Sequence, residues 1–139
     1  MEEVMLGTSK VITLEAAKKM VAAGEAEARK NNWNVAITVV DASGTLILFQ
    51  RMDETQPGSI AVSQGKARTS ALFKRPTKAM EEMIAGGKTA FLAIDGIIPI
   101  QGGLPVIADG KVIGAVGVSG VMSAQDEQIA MAALAVLAG

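Results

Sequence analysis

The chain has 139 residues, half of them hydrophobic and only 3% aromatic, a length that suits one domain, residues 1–139, with a core of Ala, Val, Ile, Leu and Met in close contact. Thirteen basic against fourteen acidic residues, with no basic run, argue against nucleic acid as a partner, and a mean hydropathy of +0.36 points to apolar surface covered by other subunits. With no His, Cys or Tyr anywhere, the Ser-His-Asp triad, the Cys-His pair, disulfides, His-based zinc sites and His, Cys or Tyr ligation of haem iron are all excluded.

The opening MEEVMLGTSKVI has neither a basic n-region nor a sustained apolar h-region, and no apolar run approaches the roughly 20 residues of a bilayer crossing, so a soluble, cytoplasmic protein with no membrane partner is expected. Thr13 then caps a helix over about 14–31, with Leu14, Ala17, Met20, Val21, Gly24 and Ala28 at helical spacing. The runs VAITVVD and TLILFQRM flank a turn at Asp41 to Gly44 and predict an antiparallel hairpin. After the turn-rich Asp53 to Gly58, a long central helix starts near Ser59 and ends before Pro76. A shorter helix over Thr77 to Ala85 stops at Gly86-Gly87, and Thr89 to Ile94 forms one further turn. Strands are expected near 98–100, 104–108 and 111–119, the last two joined at Asp109-Gly110. Ser123 is expected to cap a final helix with Asp126 as its capping-box partner. This order predicts an α/β (α+β) domain with a five-stranded, mostly antiparallel sheet and helices on both faces.

Two glycine motifs do not carry nucleotide chemistry. Gly86-Gly87-Lys88-Thr89 imitates the end of a P-loop, but Glu82 stands where that motif needs glycine, and the preceding segment reads as helix. Gly114, Gly117 and Gly120 recur every three residues, which is not the dinucleotide fingerprint. In a strand that spacing puts Gly114 and Gly117 on opposite faces, each open to a helix, a second subunit or a flat ligand.

Gly102-Gly103 can serve as a bend into a strand or as a small anion-binding nest, and the bend is favoured. Lys66, Arg68 and Arg75 could meet a carboxylate, helped by the hydroxyls of Ser63, Thr69 and Ser70, although solvated surface is the commoner fate of such cations. Arg51, with Asp53 and Glu54 behind it, reads as a ligand clamp or a rim ion pair. Asp126 and Glu127 suit a helix N-terminus better than a metal or acid/base pair, so no metal ligands are assigned.

Taken together, ITLEAAKKM, ITVVDASGTLILFQRMD, KARTSALF and GGLPVIADGKVIGAVGVSG followed by AQDEQIA resemble the GlcG/HbpS family over nearly the whole chain. That family also includes the C-terminal domain of PduO-type corrinoid adenosyltransferases. The resemblance implies a profilin-like three-layer α/β/α fold assembled as a homo-oligomer, from dimer to octamer. It also implies binding of haem or a related tetrapyrrole in a pocket bounded by subunits. The alternative is an enzyme or binding protein for a small oxygenated organic acid or aldehyde, as in glycolate or diol metabolism. Only Met, Lys, Thr or a carboxylate is present to ligate haem iron, so haem would be weakly or atypically ligated. The ligand-binding residues are then Arg51, Lys66, Arg68, Thr69, Gly102, Gly103 and Gly117. No catalytic residue is assigned; for an enzyme, Lys66 is the one candidate base or imine former.

Overall fold

A computed structural model describes residues 4–137. Helix α1 (Leu14–Lys30) starts where expected, the Thr13 Oγ1 accepting the Ala16 N–H at 3.0 Å. Strands β1 (Ala36–Asp41) and β2 (Leu46–Arg51) form the first hairpin, followed by α2 (Gly58–Phe73), α3 (Thr77–Ala85) and a 3₁₀ turn at Thr89–Ala93. Strands β3 (Gly103–Ala108) and β4 (Lys111–Ser119) form the second hairpin, and α4 (Ser123–Ala135) closes the order. The β3–β4 turn is tight because Asp109 and Gly110 both take positive φ, 52° and 75°, which Asp tolerates and Gly favours.

The sheet is antiparallel with strand order β2-β1-β4-β3. Among the described residues four strands form where five are expected. Residues 98–100 do not pair; Ile98 lies over α2 instead, its N–H donating to the Thr69 Oγ1 at 2.8 Å and its side chain filling the space above Gly65.

Period-two alternation along β1 assigns the faces. Ile37 and Val39 enter the main core with Met20, Val21, Ile129 and Ala133 of α1 and α4, whereas Val40 meets Ala67 and Ala71 of α2. Helix α2 therefore covers the second face, over β4, β1 and β3, with α3 beside it at β3 and β2 largely outside its cover. Its sheet side is small and polar: the Thr38 and Ser63 hydroxyls lie 3.0 Å apart, and Ser119 donates to Ser59 at 3.1 Å.

The expected cap of α4 is corrected. Ser123 is the first helical residue, Met122 is the cap, and the Gln125 Oε1 accepts the Met122 N–H at 3.3 Å. Asp126 is thereby freed for a buried position. Among the described residues no helix is long and apolar enough to cross a membrane.

Candidate functional site

Helix α2 lies close to the sheet because two glycines of the strands have no side chain. A Cβ on Gly117 would stand 2.3 Å from the Ser63 carbonyl oxygen, and one on Gly103 would stand 2.5 Å from that of Lys66. Both glycines are buried beneath backbone, so neither is open to a flat ligand in the chain. Gly114 faces the other way, against Ile12 and the Val40 carbonyl, as its spacing from Gly117 requires.

The bend reading of Gly102-Gly103 matches the geometry. Gly102 takes φ 133°, its carbonyl accepts the Val118 N–H at 3.0 Å, and the Gly103 N–H donates to the Thr77 Oγ1 at 2.9 Å. The Gly103 amide is thus already spent on Thr77.

Lys66 runs under this bend. Its side chain is 2% exposed, and Nζ donates to the Val118 carbonyl at 2.9 Å and to the Asp126 Oδ2 at 3.0 Å. The other carboxylate oxygen, Oδ1, accepts the Val121 N–H at 3.1 Å. Burial raises the Asp126 pKa above the usual carboxylate range, while the Lys66 charge and hydrogen bond pull it back. Held inside the fold by these two acceptors, Lys66 ties α2 to β4 and α4. Thr69 is likewise committed, its Oγ1 receiving the Ile98 N–H.

Of the seven residues expected around a ligand, Arg68 lines an open recess. It is exposed on α2, its Nη1 donates to the Gly96 carbonyl at 3.4 Å, and its aliphatic stem lies beside Gly44 of the first hairpin turn. The recess, about 280 Å³, has a sheet wall of Thr38, Val40 and Leu46 and a helix wall of Gln64, Gly65 and Arg68. It exists because α2 does not cover β2. Arg51 is exposed at the end of β2; its strand partner Ala36 is in register with Ser119, which bonds Ser59 of α2, so Arg51 faces the same side as the recess. Leu46 and Gln64 were missed in the sequence, where they read as strand and helix residues without chemistry; the signal available was the weak apolar asymmetry of α2, in which Gln64, Gly65 and Arg68 share a side.

Comparison with known proteins decides the family. A model described as haem degrading protein HbpS-like matches residues 12–135. The chain belongs to the HbpS-like family. Protein GlcG of Escherichia coli strain K12 is 49% identical over 112 residues, spanning 81% of this chain and 84% of GlcG. Among solved structures, a doubly substituted HbpS of Streptomyces reticuli superposes with a TM-score of 0.90 at 34% identity, over 96% of this chain and 92% of that one. The PduOC:heme complex superposes with a TM-score of 0.83 at 26% identity, over 91% and 94%. This HbpS-like chain thus shares its mixed α and β fold with a protein whose structure was determined with haem.

Proposed function

We propose that this chain is a small ligand-binding protein that takes haem or a related tetrapyrrole at the Arg68 recess, with a second copy closing the site. The observation that carries this is the recess: apolar walls from Val40 and Leu46, with the Arg68 guanidinium at the rim. Burial of a ring against the walls and a charge-assisted pair between a propionate and Arg68 are the two interactions such a site offers. Arg51, on the same side, is a further carboxylate partner. A tetrapyrrole is wider than a hollow of about 280 Å³, which is why a second copy is needed to cover it. The resemblance to the PduOC:heme complex supports the choice of ligand.

The donor set fits the ring and its carboxylates better than it fits the iron. The sequence has no imidazole, thiolate or phenolate, and Lys66 and Thr69 are already hydrogen-bonded inside the fold. Apolar contact and the propionate pair therefore carry the affinity, and haem would supply whatever redox chemistry the holoprotein has.

Titration of the purified protein with haem checks this. A saturable Soret shift is expected, and Arg68→Ala should weaken binding about 10- to 100-fold, the range for a lost charge-assisted hydrogen bond. No Soret shift at any protein concentration sinks the haem reading. The recess volume also suits a small oxygenated acid, and thermal stabilisation by hydroxy acids, lost in Arg68→Ala, would move the assignment to that class.

A further inference from the structure

The four-stranded sheet ends in two edges, β2 and β3, and they differ. Strand β3 carries Pro105, which lacks the N–H a neighbouring strand would need. Strand β2 reads LILFQR, with no Pro, Lys or Gly along it, and leaves half-buried apolar side chains at an edge with no strand beyond it among the described residues. Leu46, 53% exposed, and Phe49 stand on the side that α2 leaves bare, since their strand partners Val40 and Thr38 face α2.

We propose that β2 is a self-association surface: two copies of this chain pair edge to edge and antiparallel about a two-fold axis at Gln50, making one eight-stranded sheet. The proposal takes from the functional reading only that the chain self-associates. The register follows from the pleat. Directly opposed residues share a face, and an axis normal to the sheet keeps the α2 side common to both copies. A residue can then oppose itself or a residue an even number of positions away. An axis at Phe49 draws in Ile47, which the break in register between Val39 and Val40 leaves as the extra residue of a bulge opposite β1. An axis at Gln50 uses Leu48 to Met52, which is free of that bulge.

With the axis at Gln50, Phe49 of each copy lies opposite Arg51 of the other, on the α2 side. Exposed guanidinium then covers half-buried ring twice per dimer, a cation–π pairing. Gln50 opposes itself on the α1 side, where its amide donates to Glu25, whose charge is met by Arg29 of the same copy.

Because the sequence has no cysteine, haem-free Gln50→Cys is a direct probe. Mild oxidation should convert it to a disulfide-linked dimer on a non-reducing gel, while Ser43→Cys, in the turn at the far end of β2, stays unlinked. Sedimentation of the unmodified protein should give a dimer or a multiple of it. Gln50→Lys, which keeps a partner for Glu25, places two ammonium groups opposite each other and should raise the dissociation constant about tenfold with the fold intact by circular dichroism. A monomer at all concentrations, an oligomer in which Gln50→Cys does not cross-link, or association unchanged in Gln50→Lys would overturn the proposal. A failed haem titration leaves it standing, because none of these measurements contains haem.

Discussion

Lys66 and Asp126 illustrate how a residue's chemistry depends on what covers it. In the sequence Lys66 is one of three cations on or beyond a helix, and Asp126 is an acidic residue in a helix's first turn, both ordinary surface features. Sixty positions apart, they meet in the core at 3.0 Å because Gly102 leaves room: a Cβ there would stand 2.7 Å from the Lys66 Nζ. Removing one partner strands the other as a buried charge. Lys66→Met should therefore cost about 3–5 kcal/mol in denaturant unfolding, and Asp126→Leu alone a similar amount. The double variant, apolar on both sides, should recover most of that loss, although the Val118 carbonyl and Val121 N–H each lose a side-chain partner. If the two single losses simply add, the two side chains do not act as a pair.

At the scale of elements, most boundaries were legible because local chemistry sets them. Thr13 caps α1, Asp109-Gly110 makes the second hairpin turn, and helix α3 stops at Gly86-Gly87, each as read from the residues. Two readings failed for tertiary reasons. IIPI looks like a strand by composition, but its Ile98 N–H finds Thr69 on α2 rather than a neighbouring strand. Ser123 looks like a cap, but Met122 holds that position while Gln125 accepts its N–H and Asp126 is drawn to Lys66. The glycine pattern was legible as close approach, yet the sequence could not say what approaches. On the β4 side it is α2, and Gly117→Ala tests how tightly. A methyl group 2.4 Å from the Ala67 amide nitrogen meets backbone, not a flexible side-chain end, so the helix must move. A loss of about 3 kcal/mol, the upper end for overpacking, is expected in urea unfolding, against near-neutral behaviour for Gly58→Ala, where nothing lies within 4 Å. Equal effects at the two positions would mean that α2 does not rest on β4 through that glycine.

For the whole molecule, the candidate site was legible only in part because ligand contact depends on which face remains uncovered. Arg68 and Arg51 could be picked from residue type, but burial of Lys66, Thr69, Gly103 and Gly117 follows from how α2 sits on the sheet. The mean hydropathy of +0.36 has a structural counterpart: Leu46, Leu72, Leu92 and Ile100 are each more than 40% exposed. Side chains of this kind are tolerated singly on a monomer, whereas Leu46 in the recess wall and Leu72 beside Gly44 of that wall are expected to be buried by association. If association contributes to the stability of the native state, unfolding becomes dissociation plus denaturation, and mass action links the melting temperature to protein concentration. Calorimetric scans across a hundredfold range of concentration should show the midpoint rising with concentration in the unmodified chain and rising less in Gln50→Lys. A midpoint independent of concentration, in a chain that unfolds reversibly, would mean that each copy is stable alone and that the exposed leucines answer to something other than a second copy.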